Sequence, residues 1–208
     1  IQRAFSQGDV DFIGGPYKPR WGATPPDWLP KDYPAVIGWI EAGSQVRVYG
    51  KDYDGVLMGG NAIIRRAVLE RVGGYSVSLG PVGERILAAE DEDMTERLLA
   101  AGARGLYLPD LVIYHYIPPE RLTKRYHRRW CFWRAVSQGI RDREQRAPVA
   151  YLLGVPRYLY GMAARALLRK MKAILARGKD PAARFSDELS FWNLAGFFYG
   201  KHFYRPAR

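Results

Sequence analysis

The sequence predicts an α/β domain followed by a helical, strongly basic extension. Three observations carry that expectation. Short apolar runs closed by Gly or Pro alternate with stretches of helical pattern. The charge is split: residues 1–118 hold 12 Lys and Arg against 15 Asp and Glu, a net of −3, while residues 119–208 hold 20 against 6, a net of +14. Finally, the apolar positions Leu159, Met162, Ala163, Ala166, Leu167, Met171, Ile174 and Leu175 recur at helical spacing, with Arg157, Arg165, Arg169 and Lys172 off that stripe. The boundary is expected at residue 117, giving a domain over 1–117 and an extension over 118–208.

Taken in order, Val10-Asp11-Phe12-Ile13-Gly14-Gly15-Pro16 reads as a strand ended by a turn. Asp9 and Asp11 stand two apart on it, a spacing that puts both carboxylates on one face. Residues 17–34 carry five prolines with Tyr17, Trp21, Trp28 and Tyr33, which predicts a loop with aromatic anchors, since disordered segments are poor in aromatics. Gly55-Val56-Leu57-Met58 is expected to be a strand running into Gly59-Gly60-Asn61. Residues 65–72 then read as a helix stopped by Gly73-Gly74. Glycines between a strand and a helix permit close backbone approach to a ligand, and a tight turn explains the same residues.

Glu90, Asp91, Glu92 and Asp93 open the next helical pattern, residues 90–101. Acids suit a helix start because its free N–H groups and dipole are positive. Met94, Leu98 and Gly102 follow Asp91 on one face of that helix at i+3, i+7 and i+11, so Asp91 is expected to point to the lip of a core while its neighbours face water. Asp93 and Arg97 are spaced for an ion pair. Gly105-Leu106-Tyr107-Leu108-Pro109 and Leu111-Val112-Ile113-Tyr114-His115-Tyr116 read as two strands, with His115 at the end of the second.

Pro119 begins a helical stretch to residue 146 in which arginines are interleaved with aromatics. Such a surface suits nucleic acid, anionic lipid, or a sugar pyrophosphate. Pro156 is expected to open the amphipathic basic helix, a kind found at membrane surfaces and also packed against a protein's own core. Residues 189–200 are uncharged, but shorter than the roughly 20 residues that a membrane span needs. Interfacial attachment, helped by Phe191, Trp192, Phe197, Phe198 and Tyr199, is expected instead. Cys131 is the only cysteine among 208 residues, which excludes an intrachain disulfide and is compatible with a reducing cytosol. The chain starts at Ile1 without a signal-peptide pattern, as a fragment of a longer protein would. Zinc-finger spacing, the Gly-x-Ser-x-Gly elbow and the P-loop are absent.

Several of these pieces, in this order, resemble the C-terminal half of a family 2 glycosyltransferase of the GT-A type. They are Phe12-Ile13-Gly14-Gly15-Pro16, Gly59-Gly60-Asn61, the four acids with Arg97, Tyr114-His115, Pro118-Pro119-Glu120-Arg121-Leu122-Thr123, and Arg129-Trp130. The resemblance spans about residues 9–146. It implies a partial GT-A fold that lacks its N-terminal nucleotide-binding half, followed by the helical extension. It also implies an inverting transfer of a sugar from a nucleotide-sugar donor to a glycan or lipid-linked acceptor, in cell-surface polysaccharide or glycolipid synthesis. Asp91 takes the position of the general base and Glu90 supports the acceptor, while Gly59, Gly60 and Asn61 line the pocket. At this helix start the dipole is expected to keep Asp91 ionised, ready as a base but not strongly basic.

His115 matches a position where such enzymes place a metal ligand, so the resemblance implies a divalent metal, Mg²⁺ or Mn²⁺. The main Asp-x-Asp ligands belong to the half not seen in this sequence; Asp9 and Asp11 lie downstream of that motif and are rejected as the metal pair. Arg129-Trp130 resembles the end of the Gln-x-x-Arg-Trp motif and implies a substrate contact. Tyr126 stands where that motif has Gln, which points to single addition rather than processive synthesis. The implied setting is the cytoplasmic face of a membrane, held peripherally through the C-terminal helices, with no nucleic acid as partner. The competing expectation is a non-catalytic basic module for anionic membrane or nucleic acid, or an inactive truncated fragment. A basic module would not need Glu90, Asp91, Gly59, Gly60, Asn61 and His115 to converge.

Overall fold

The computed structural model describes residues 1–6, 8–76, 79, 89–144, 146–175 and 180–205, and the side chains of all these except 144, 170 and 172–175. Two compact units emerge. One comprises Ile1–Arg20, Gly38–Val77 and Ala89–Tyr116; the other includes Trp21–Ile37 and Ile117–Arg208.

After a one-turn helix, α1 (Gln2–Ser6), the first unit is built on β1 (Phe12–Gly14), whose three residues are all buried. The sheet also contains β3 (Arg47–Val48), β4 (Ile63–Ile64) and β5 (Gly105–Tyr107), in the order β3-β5-β1-β4. β1 runs parallel to β5, with Phe12 opposite Gly105, and antiparallel to β4, with Phe12 opposite Ile64. The sheet is therefore mixed, and the architecture is α/β. β2 (Tyr17–Trp21) and β6 (Ile113–Ile117) form a separate two-stranded ribbon.

The helices α2 (Arg66–Val72) and α3 (Glu90–Ala100) complete the core. Met94 and Leu98 of α3 are fully buried among Phe12, Tyr49, Leu57, Val68, Ala103 and Tyr107. They are the positions that the helical spacing placed inward. Gly73, at φ +82°, ends α2, and Gly102, at φ +73°, follows α3, where only glycine turns the chain without strain.

Two expectations are corrected here. Residues 55–58 are not a strand: Gly59–Asn61 is a single 3₁₀ turn, and the strand β4 follows it. The backbone N–H of Leu57 donates to Thr95 Oγ1 at 2.9 Å instead of to a strand neighbour. Residues 17–21 are a strand rather than loop. Lys18, Pro19 and Arg20 sit on a two-stranded ribbon, where a proline costs only an edge hydrogen bond.

The second unit is helical. It contains α4 (Lys124–Glu144), α5 (Arg157–Leu175) and α6 (Pro181–His202), with a small hairpin of β7 (Tyr151–Leu152) and β8 (Val155–Pro156) ahead of α5. The backbones of α4 and α6 nearly touch. An ideal Cβ on Gly139, Gly196 or Gly200 would lie 2.5, 2.2 or 2.3 Å from a carbonyl oxygen of the facing helix. Only glycine permits so close a crossing.

Trp28 and Tyr33, from the proline-rich segment, pack on Val36, Cys131, Phe185 and Leu189, so the expected aromatic anchors do anchor. The apolar stripe of α5 divides. Leu159, Ala163 and Ala166 are buried, whereas Leu167 and Met171 of the stripe are 49% and 55% exposed, and Leu168 beside it is 57% exposed. The side chains of Lys172, Ile174 and Leu175, and Ala88 ahead of the acidic run, lie outside the described residues. Among the described residues, no helix is long and apolar enough to cross a membrane.

Candidate active site

Asp91 opens the site. It sits in the first turn of α3, with Thr95 one turn on to fix that end of the helix. The Thr95 hydroxyl donates to the Asp91 carbonyl at 2.7 Å and accepts from the Leu57 amide. The carboxylate lies against the Gly59–Asn61 turn, where its Oδ1 accepts the Gly59 N–H at 2.9 Å. A Cβ at Gly59 would come within 2.8 Å of that same oxygen, so the turn and the acid meet only because residue 59 has no side chain.

Burial is the dominant influence on this group. It raises the Asp91 carboxyl, the Gly59 amide pulls it back, and the Glu90 and Glu92 charges push it up, for a net of about 6. The expectation of a weakly basic Asp91 is thereby corrected. Desolvation of the carboxylate outweighs the hydrogen bond at the helix start.

Two tyrosines, neither of which the motifs flagged, flank the acid. The Tyr17 hydroxyl lies at Gly60, near the Gly60 and Asn61 backbone; burial, then the Asp91 charge, pushes it up to about 12. Tyr75 reaches Gly59 from beyond α2 and is likewise pushed up to about 12, by burial first and then by Asp91 and Glu90. Both phenols therefore keep their protons near pH 7. Arg97 holds the turn that carries Tyr75, donating to the carbonyls of Val72, Gly73 and Gly74 at 2.6, 3.3 and 2.9 Å. It is paired with Asp93 at 2.8 Å, the i, i+4 bridge that the spacing predicted.

The other expected site residues fall as follows. Glu90 Oε2 accepts the Ala89 N–H at 3.0 Å, folding back on the helix start. Asn61 is buried, and its Nδ2 donates to the Leu111 carbonyl at 2.7 Å, so its side chain ties the turn to the chain entering β6. His115, on β6, stacks obliquely on Tyr17 with ring centroids 6.0 Å apart, and faces Gly38, where a Cβ would lie 2.5 Å from Nδ1. Asp91, Gly59, Gly60 and Tyr17 thus form one cluster, with His115 joined to it through the Tyr17 ring.

Arg129 and Trp130 belong to the helical unit. Arg129 lines a cleft with Arg125, Arg128, Phe132, Trp133 and Trp192, while Trp130 packs against the Val36 and Cys131 cluster. Among the described residues, no three His, Cys, Asp or Glu side chains gather as metal ligands. Asp11 is engaged elsewhere, its Oδ2 accepting the Arg104 N–H at 2.9 Å. A divalent metal held by His115 would need further ligands beyond the described residues.

Comparison with known proteins places a transferase beside this geometry. The chain is 25% identical over 137 residues to a glucosyl-dolichyl phosphate glucuronosyltransferase of Haloferax volcanii, an alignment covering 64% of this chain and 42% of that enzyme. The chain thus spans less than half the length of this relative. The match supports a relationship to glycosyltransferases. No family model matches the sequence, and no solved structure matches it.

Proposed function

We propose that the chain forms the acceptor-side part of an inverting glycosyltransferase of the family 2, GT-A type, with Asp91 as general base. The single observation that carries this reading is the carboxylate itself. It is half-buried, its Oδ1 is held by the Gly59 amide, and it is raised to about 6 beside an exposed Gly-Gly turn. A base poised near the working pH accepts a proton efficiently, and a fixed Oδ1 leaves Oδ2 to face the substrate.

An acceptor hydroxyl bound over Gly59 and Gly60 donates its proton to Asp91 Oδ2 as its oxygen forms the bond to the anomeric carbon. On the opposite face, the bond from that carbon to the nucleoside diphosphate breaks and carries its electron pair away. Tyr17 and Tyr75, neutral at this pH, wall the carboxylate on either side. Positioning of the two substrates supplies much of the rate. The relative named above supports a nucleotide-sugar donor and a lipid-linked sugar acceptor.

Exchange of the carboxylate tests the assignment. Asp91→Asn in the intact gene product should lower kcat by about 10²–10⁴-fold, the usual contribution of a general base, with little change in donor KM. Full transfer activity in that variant would refute the role.

We propose further that the divalent metal, Mg²⁺ or Mn²⁺, takes His115 as its ligand from the described part of this chain. Spin resonance of Mn²⁺ bound to the intact protein should lose a nitrogen coupling in His115→Ala. Peripheral attachment at the cytoplasmic membrane face is proposed through the C-terminal helices. The exposed Leu167, Leu168 and Met171, next to Arg165 and Arg169, support it. The chain should pellet with anionic liposomes at low salt and be released at high salt.

A further inference from the structure

The hairpin of the helical unit ends in an apolar tip. β7 and β8 pair Tyr151 with Pro156 and Leu152 with Val155, which leaves Leu153 and Gly154 as a two-residue turn. Both turn residues have positive φ, +48° and +72°, as a type I′ hairpin requires. Asn and Gly take that conformation readily, whereas the Cβ of a leucine crowds the following carbonyl. No other described non-glycine residue has a positive φ. Leu153 is also 74% exposed, and Leu152 beside it is exposed. One residue thus combines an unfavourable backbone angle with an unburied apolar side chain, where Asn would carry neither. That combination points to a contact made outside the chain.

The end of α6 extends the tip into a patch. His202 Nε2 donates to the Leu153 carbonyl at 3.0 Å, and its ring centroid lies 4.7 Å from that of Phe198. The Phe198 ring in turn lies 5.8 Å from Phe203, which is 62% exposed. Arginines stand behind the tip. The Arg157 N–H closes the hairpin on the Ala150 carbonyl at 2.8 Å, and the Arg146 guanidinium lies 4.1 Å from the Tyr151 ring centroid. Both arginine side chains are exposed. Asp142, which receives the Tyr151 hydroxyl, is paired with Lys201 at 2.8 Å.

Two or three residues separate Tyr151 and Arg157 from the turn, a distance of about 7–10 Å along a strand. An interfacial element sinks about 5–10 Å into a bilayer, so the leucines reach the acyl chains while the guanidinium groups stay at the level of the phosphates. An apolar tip backed by arginines matches an anionic membrane surface in both depth and charge.

We propose that Leu152 and Leu153, with Phe198 and Phe203, insert into the membrane interface as the apolar anchor of the helical unit. The anchor rests on the peripheral attachment proposed above and is independent of the role of Asp91.

Vesicles of phosphatidylcholine and phosphatidylglycerol, mixed with the full chain, supply the test. Leu153→Asn should weaken partitioning about tenfold, the effect of losing one buried leucine. The same variant should melt about 2–4 °C higher in solution, because Asn suits the turn, so unfolding does not explain its weaker binding. Val46→Asn, at an exposed apolar position of the sheet unit, should change partitioning less than about twofold. A nitrobenzoxadiazole label on Leu153→Cys reads insertion directly, since the native Cys131 is fully buried and escapes labelling. Its emission should shift to the blue on addition of vesicles and be quenched by nitroxide lipids, whereas the same label on Arg66→Cys in α2 should not respond. Vesicle binding with the Leu153→Cys label still open to water overturns the anchor and leaves peripheral attachment standing. No binding at all overturns both. An equal loss in Val46→Asn means unspecific apolar attraction and overturns the anchor, as does a concentration-dependent dimer that Leu153→Asn abolishes, which assigns the patch to a second copy of the chain.

Discussion

Replacing Asp91 by Asn should make the protein more stable at about pH 7 while it abolishes the base. Burial raises the Asp91 carboxyl from 3.8 to about 6. A carboxyl whose folded value is raised is more stable in the fold when protonated. Its contribution is fully favourable below the unfolded value and is lost as the pH rises through the folded value. The ionised group therefore costs stability at neutral pH by up to roughly 3 kcal/mol, a figure that partial exposure reduces to about 1–2 kcal/mol. An Asn carbonyl retains the Gly59 hydrogen bond without the desolvated charge. Urea unfolding of wild type and Asp91→Asn should show a gain of about 1–2 kcal/mol at about pH 7, shrinking towards zero at about pH 4, where the native carboxyl is neutral. A gain of the same size at both pH values, or a loss at pH 7, would refute the reasoning that burial sets the chemistry of this group.

Three other outcomes follow from the same geometry. Gly59→Ala puts a methyl 2.8 Å from Asp91 Oδ1 and should cut transfer at least about tenfold with the fold kept, as read by kcat beside circular dichroism. Arg97→Ala frees three backbone carbonyls and Asp93, and should cost about 2–3 kcal/mol in urea unfolding, whereas Arg97→Lys recovers only part of that. His127 is fully buried beside Trp28, Tyr126 and Phe185, and burial pulls its imidazole down to about 4. The Arg121 backbone lies near the ring but outside hydrogen-bond geometry, so both ring nitrogens lack a partner. Its unfolded counterpart takes up a proton first, so native stability should fall by about 3 kcal/mol between about pH 6.5 and pH 4, a loss that His127→Leu removes in pH-dependent melting.

Periodicity made α3 legible. The inward placement of Met94 and Leu98, the Asp93–Arg97 pair and the glycine stops all follow from spacing of 3.6 residues and from what glycine permits. Turn geometry was harder to see. Gly-Gly-Asn reads equally as the end of a strand or as a turn before one, because two-residue strands such as β4 are too short to show alternation. Five prolines masked β2, because the ribbon tolerates proline where a central strand would not.

The chain by itself determined a mixed α/β unit, a basic helical unit, and an acid at a helix start near a glycine turn. Those features rest on local pattern, and local pattern is written in consecutive residues. Only the tertiary structure decided what the acid is. Gly59 lies 32 positions before Asp91, and Tyr17 lies far upstream of both, yet the fold brings them to the turn where burial raises the carboxyl to about 6. Helix-start reasoning, which sees one turn of backbone, predicts an ordinary ionised acid. Burial depends on what the rest of the chain brings to that turn, and here it makes a helix-start aspartate into a poised base.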